Sequence, residues 1–547
     1  MKHYLTYLQE SMQKYWDKDA LCNYKGKKYS YADMAKEIAK LHILFEKIGV
    51  KKGDKIALCA GNTAEWGITF LAVTSYEAVV VPLLNGFTAE EVKDLTNHSE
   101  STLLVTEKDI FDKLEVSEMP NIKGIIDLPD FSVVYDNGSN ISEVYATLEE
   151  EFNKKYPNGI KPEDINYPTD NLDKLALINY TSGTTSSPKG VMLTYRNVSS
   201  NIQFACEHIP CPPGSTLVSM LPLAHMYGMA FEFLYPIASG YQIYFLGKTP
   251  TPKVLLQALK SVKPYILITV PLVIEKIIKN NVIPIVSKPA MKVLLAIPGI
   301  NLIIRNKIRA KLINAFGGNL HELILGGAAI NQEVEKWMKR IRLPYTVGYG
   351  MTECAPLLAY EEHKSFVPGS CGKCIERMEL RIDSSDPKEV IGEIQVKGAN
   401  VMLGYYKNPE ATEATFTKDG WLRTGDLGII DEKGNVFIKG RSKNMILTSN
   451  GQNIYPEEIE DKLNNLPYVI ESLLVERNKI LVALIYPDFA KLKENGIDES
   501  GLAELMEESR KKVNGKLSSY SQIAKIEIRQ EEFEKTPKKS IRRFMYK

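Results

Sequence analysis

The sequence predicts an α/β protein with a large N-terminal domain of layered, mostly parallel sheets with helices plus a small β subdomain, followed by a small α+β C-terminal domain. Three observations predict it. Short β-branched runs alternate with amphipathic stretches through the first half of the chain. Near residue 390 the texture shifts to short strands joined by glycine turns. At 547 residues the chain is too long for one small domain.

The elements follow in order. "YADMAKEIAKLHILFEKIGV" (31–50) carries apolar residues at helical spacing. "KIALCA" (55–60), "AVVVPL" (78–83), "TLLVTE" (102–107), "LALINYTS" (175–182), "TLVSMLPL" (216–223) and "YQIYFLG" (241–247) read as strands bounded by turn residues. The most apolar run, "GITFLAVTSYEAVVVPLL" (67–84), contains Glu77 and fits a buried helix followed by a strand, not a membrane span. Beyond 390, "GEIQVKG", "GIIDEKGNVFIKG" and "YVIESLLVERNKILVALIYPD" predict strands and hairpins. "YPEEIEDKLNNL" predicts a helix with Pro456 in its first turn. The domains are therefore set at 1–440 and 441–547, divided at "GRSKN".

Composition narrows the function classes. A formal net charge of +1 with 25% charged residues gives no nucleic-acid footprint. Seven scattered cysteines argue against a disulfide framework and suit a reducing compartment. Cys371 and Cys374 form one C-x-x-C, but no further ligands are spaced to complete a zinc site. The N-terminus lacks an apolar signal core, so a cytoplasmic protein is expected. Between Lys260 and Lys311 stand ten basic residues and a single acid, Glu275, interleaved with apolar runs such as "MKVLLAIPGINLII". This stretch reads as a solvated helix face or as a surface for anionic lipid, at the inner face of a membrane, or for an acidic carrier protein.

"TSGTTSSPKG" (181–190) carries the chemistry. Counting from Gly183, Lys189 stands where a Walker A lysine would, but Pro188 removes an amide such a loop needs, and Gly190 replaces the hydroxyl residue. The loop leaves a predicted strand and is dense in hydroxyls, which donate to phosphate oxygens, while Lys189 adds charge. A polar surface turn has the same composition.

"YTSGTTSSPKGVMLTYRN" resembles the signature of the adenylate-forming superfamily: acyl-CoA synthetases, luciferases and peptide-synthetase adenylation domains. Further stretches resemble that family in the same order: "LPLAHMYG" (221–228), "GGAA" (326–329), "GYGMTE" (348–353), "GWLRTGD" (420–426), "GRSKNMILTSNGQNIYPEEIE" (440–460) and "KTPKKSIRR" (535–543). The resemblance spans roughly residues 15–545. It implies ATP, Mg²⁺ and coenzyme A as ligands, with a carboxylic acid activated as acyl-AMP before transfer to a thiol. Thr181, Ser182, Gly183, Thr184, Thr185 and Lys189 would hold the β- and γ-phosphates. Tyr349 and Gly350 would sit at the adenine, with Gly327 and Ala328 lining its pocket. Thr352 would contact the α-phosphate, and Glu353 with Thr184 would hold Mg²⁺. Asp426 and Arg441 would bind the ribose, and His225 would lie near the acyl carboxylate. Lys443 resembles the pivot about which a mobile C-terminal domain rotates, and Gly451 would line the pantetheine tunnel.

The tail departs from the family's pattern. An ungapped alignment of "KTPKKSIRR" puts Ser540 where a catalytic lysine is usual. Lys539, one residue earlier, is assigned that role, with Lys538 and Lys535 as the other tail lysines. The stretch "KIRAKLINAFGGNLHELILGGAAI" most resembles the long-chain fatty acid–CoA ligases. With no carrier domain after the last motif, a diffusing acceptor is expected: coenzyme A, or alternatively a free acyl carrier protein. A non-catalytic nucleotide-binding relative is the remaining alternative.

Overall fold

The structure is a computed structural model that describes residues 1–181, 188–209, 212–247, 251–447, 453–535 and 541–546. Its spine is an eight-stranded sheet whose centre is parallel. Leu175–Thr181, Val79–Leu84, Lys55–Ala60, Leu103–Thr106 and Gly124–Asp127 run side by side. Lys189–Thr194, Gly404–Tyr405 and Val133–Asp136 close its edges antiparallel. The central strands are buried on both faces and hence read as unbroken apolar runs. One parallel three-stranded sheet (Ile266–Thr269, Glu322–Leu325, Tyr345–Val347) and one four-stranded sheet (Thr216–Ser219, Gln242–Phe245, Asp19–Asn23, Lys28–Ser30) complete the α/β layers.

The helix Tyr31–Lys47 starts with a full capping box, in which Ser30 accepts from the Asp33 amide and Asp33 accepts from the Ser30 amide. The run 67–84 divides as expected, into the helix Ala64–Ser75 and the strand Val79–Leu84. Glu77 lies in the turn between them, with its buried carboxylate paired to Lys52 and Lys174. A charge in so apolar a run is thus explained by two cations brought from elsewhere.

After the large core, antiparallel strands Met378–Asp383, Gly392–Gly398, Leu422–Ile430 and Val436–Arg441 form a small β subdomain. The C-terminal unit is a three-stranded sheet (Val469–Arg477, Ile480–Pro487, Ile523–Ile528) packed with helices Pro456–Leu463 and Glu499–Asn514 around its own core. Asn331 Nδ2 donates to Asp461 Oδ1 at 3.1 Å and Lys279 Nζ to the Asn464 carbonyl at 3.1 Å, joining this unit to the large one.

The basic stretch differs from a simple solvated face. It forms helices Pro271–Asn281, Ile283–Val286, Pro289–Ala296 and Ile300–Ala315. Its outward residues include large apolar ones: Val293 is 64% exposed, Ile303 57%, and Leu294, Ile297, Ile300 and Leu302 are also exposed. The single acid, Glu275, turns inward, where Oε1 accepts the Asn331 amide at 2.8 Å. Among the described residues no helix is long and apolar enough to cross a membrane.

Candidate active site

The described site residues gather where the large sheet, the β subdomain and the C-terminal unit meet. Thr181 ends one strand and Lys189 begins its antiparallel neighbour, in register across the loop between them. Register alone therefore fixes where that loop emerges, and Lys189 stands at its base. Its ammonium lies 4.9 Å from the centre of the Tyr405 ring, a cation–π contact. The Tyr405 hydroxyl donates to Glu353 Oε1 at 2.9 Å. Glu353 sits in the single turn Thr352–Cys354, and its carbonyl accepts the Met402 amide at 2.9 Å. Lysine, tyrosine and glutamate thus form one chain of contacts. Gly350 precedes this turn where no side chain fits, since a Cβ would come 2.3 Å from the Pro356 carbonyl oxygen.

A second group centres on Asp426, which is buried. Tyr349 donates its hydroxyl to Oδ2 at 2.8 Å, and Arg441 Nε approaches Oδ1 at 3.0 Å. The aspartate and arginine face each other in register across a hairpin. Burial raises the Asp426 carboxyl above the usual carboxylate range, against the pull of Arg441 and the Tyr349 hydroxyl. Burial likewise lifts the Tyr349 hydroxyl well above a free phenol. Lys443, exposed at the surface, lies in the field of both groups. Its ammonium is pushed down by burial, then by Arg441 and Lys189, against Asp426 and Glu353.

The third group carries His225. Asn62 Oδ1 accepts the Leu223 amide at 2.9 Å, and Asn179 Nδ2 donates to the Ala224 carbonyl at 2.8 Å. Asn179 lies on the strand that leads to Thr181, so the histidine segment and that strand are tied directly. The histidine precedes the short helix Met226–Gly228, which passes into a widened π turn, Met229–Leu234. From the short helix, Tyr227 packs under the 326–329 loop, where a Cβ on Gly326 would come 2.9 Å from its ring. Gly327 adopts φ +82°, and Gly327 and Ala328 are exposed.

Ser182, Gly183, Thr184, Thr185, Gly451, Lys538, Lys539 and Ser540 lie outside the described residues. Lys535 is described, and its Nζ contacts Glu471 Oε1 at 2.9 Å and Glu532 Oε2 at 3.3 Å. Burial opposes its charge, but these two carboxylates outweigh burial and hold its pKa up. Committed to two acids, Lys535 is poorly suited to a mobile catalytic role. Cys371 and Cys374 are free thiols pushed up to about 12 and about 11, mainly by burial, and so are not poised to ionise.

Two positions escaped the reading of the sequence. Tyr405, in "LGYYKN", links Lys189 to Glu353. Glu232 is fully buried in the π turn, where Oε2 accepts from Ser219 Oγ at 3.0 Å and from the Met220 and Leu221 amides at 2.9 and 2.8 Å. It thereby anchors the start of the segment that presents His225. An acid in the apolar run "MAFEFLYP" was the available signal. Burial favours its acid form and the three donors favour the carboxylate. Burial wins and raises the pKa from 4.5 to about 8. The folded state therefore holds this proton where the unfolded chain releases it. Its contribution is complete below about pH 4.5 and is lost as pH rises to about 8. Glu232→Gln is expected to flatten that window, removing a slope of up to about 1.4 kcal/mol per pH unit. Denaturant melts at stepped pH check this, and an unchanged slope would show that the side chain is already ionised.

This fold and these linked groups define an adenylate-forming architecture, and comparison with known proteins agrees. Residues 8–406 match the AMP-binding enzyme family and residues 443–546 match the AMP-binding enzyme C-terminal domain. The chain belongs to the AMP-binding enzyme family, and within it resembles most the long-chain fatty acid–CoA ligases. A long-chain-fatty-acid–CoA ligase of Escherichia coli is 30% identical over 495 residues, covering 85% of this chain and 81% of that protein. The chloroplastic long-chain-fatty-acid–[acyl-carrier-protein] ligase AEE15 of Arabidopsis thaliana is 28% identical over 555 residues, covering 88% and 75%. Among solved structures, ATP-bound MatB from Rhodopseudomonas palustris superposes with a TM-score of 0.76 at 23% identity, over 100% of this chain and 98% of that one, a likeness of fold.

Proposed function

We propose that this protein activates a long-chain fatty acid with ATP and passes the acyl group to coenzyme A. The observation that carries the reading is the chain Lys189–Tyr405–Glu353, set beside the buried Asp426 with its partners Tyr349 and Arg441. A carboxylate has no adequate leaving group. Its oxygen attacks the α-phosphorus of ATP, the bond to the bridging oxygen of pyrophosphate breaks, and acyl-AMP results. The thiol sulfur then attacks the acyl carbon, the bond to AMP breaks, and the thiol proton is released. The first step presses one anion against another, so fixed positive charge and a metal are needed.

Lys189, Thr181 and the hydroxyl-rich loop would hold the terminal phosphates, and Asp426 with Arg441 the ribose. Tyr349, Gly327 and Ala328 would border the adenine. Glu353 fits a hard cation, because the Tyr405 hydroxyl occupies only one of its two oxygens. Bound there with Thr184, Mg²⁺ would neutralise phosphate charge. Lys539, on the resemblance of the tail motif, would pair with the acyl carboxylate. Lys443, among Arg441, Asp426, Lys189 and Glu353, suits a pivot whose surroundings change as that unit turns.

The acyl class rests on the family branch, and the exposed apolar side chains among the cations of 271–311 suit a lipid surface that supplies the acid. The acceptor could instead be a carrier protein, as in the name of the Arabidopsis relative. One assay separates these readings: pyrophosphate release with acids from acetate to oleate, with no acceptor, coenzyme A or acyl carrier protein. Repeated turnover with oleate and coenzyme A, faster on anionic than on neutral vesicles, is expected. A peak at short or aromatic acids would overturn the substrate, turnover only with the carrier would overturn the acceptor, and no release would leave a non-catalytic relative.

A further inference from the structure

We propose a second metal site, for a borderline divalent cation such as Zn²⁺, formed by His321, His363 and Glu362 away from the nucleotide groups. Their candidate ligand atoms lie within 4.8 Å of one another. The ring centres of the two histidines are 5.5 Å apart and nearly perpendicular, at 85°. Two imidazoles on one tetrahedral ion, with Zn–N bonds of about 2 Å, place their ring centres about 5 Å apart.

Two independent features point to a ligand. His321 Nε2 is buried and has no hydrogen-bond partner among the described residues, although its ring is fixed by stacking on Tyr265 at 4.9 Å and 4°. A buried imidazole nitrogen without a partner is costly unless something occupies it. Behind His363 stands the fully buried Glu322. Its Oε1 lies 3.1 Å from His363 Nδ1 and accepts the His363 amide at 2.8 Å, while Oε2 accepts the Tyr360 hydroxyl at 2.9 Å. A carboxylate that takes the Nδ1 proton fixes the tautomer and leaves the Nε2 lone pair as a metal donor, the usual outer shell of a histidine ligand. Glu362 Oε1 pairs with Lys364 at 3.0 Å on the exposed side, which leaves its other oxygen for the ion.

Two imidazoles and a carboxylate favour Zn²⁺ over Mg²⁺, and three protein ligands leave a fourth position for water. The ion would join the start of the strand Glu322–Leu325, whose far end carries the 326–329 loop, to the segment that follows the strand Leu357–Tyr360. It would act as a brace, not as a participant in acyl transfer.

Co²⁺ titration of the chelator-stripped, nucleotide-free protein tests this. A single Co²⁺ per chain is expected, with the visible bands of a tetrahedral nitrogen/oxygen site, displaced by Zn²⁺. His321→Ala and His363→Ala should each abolish the bands. Glu322→Gln, which keeps the shape but weakens the hold on His363, should lower affinity about 10–100-fold. Should an alanine variant fail to fold, a Zn²⁺-dependent rise in the wild-type melting temperature that shrinks in Glu362→Gln reads the same site. No Co²⁺ uptake, bands that survive in His321→Ala, or thiolate charge-transfer absorption lost in Cys371→Ser would each overturn the assignment.

Discussion

Lys189→Ala is expected to lower pyrophosphate-releasing turnover about 10²–10³-fold, the usual loss when one preorganised electrostatic group is removed from a transition state. Unfolding free energy should change by only about 0.5 kcal/mol, because the lysine contributes a cation–π contact and one strand-end position and is not part of the core. Single-turnover formation of acyl-AMP and a denaturant melt measure the two quantities. Tyr405→Phe separates the charge from its neighbour. The ring that faces Lys189 remains and only the hydroxyl on Glu353 is lost. Weakening of apparent Mg²⁺ affinity by about 10–100-fold is expected, with recovery at high Mg²⁺. Lys189→Ala should not recover. Unchanged turnover in Lys189→Ala would remove the phosphate role from this loop.

Arg543→Ala should cost about 3 kcal/mol, concentrated in the C-terminal unit. Arg543 is the partner of Glu460, an acid buried on the helix Pro456–Leu463 whose second oxygen accepts the Leu474 amide at 2.7 Å. Removing the guanidinium leaves that acid buried and unpaired. The same contact, with the Arg542 amide donating to the Glu534 carbonyl at 2.8 Å, fastens both ends of the segment that contains Lys538 and Lys539. Loss of stability should therefore accompany loss of adenylation. Limited proteolysis after residue 535 and pyrophosphate release report on the two. A variant that loses neither would mean the tail is held by other contacts.

Much of this was legible in the chain. Central parallel strands such as Val79–Leu84 are covered on both faces, so they must be continuously apolar and are visible as such. The hairpin Val469–Arg477/Ile480–Pro487 was visible as the long apolar run "YVIESLLVERNKILVALIYPD". The motif residues were legible one at a time, but their partners were not. Tyr405 meets Glu353 across 52 residues and Glu232 meets the Leu221 amide across 11, through packing that leaves no periodic trace. The basic segment was legible in part. Its charges are conspicuous in the sequence, but only the fold reveals that Val293 and Ile303 point outward beside them.

The arrangement at Asp426 bears on which sugar the enzyme accepts. Each carboxylate oxygen already takes one donor, from Tyr349 or Arg441, and each retains a lone pair. On the proposed reading, the two vicinal hydroxyls of a ribonucleotide would complete the set. A 2′-deoxynucleotide would leave one buried lone pair unmet, a deficit that a site built for hydroxyls penalises more heavily than a missing methylene. The same hairpin that fixes the aspartate opposite the arginine would thus make the protein discriminate ATP from dATP without any contact to the base.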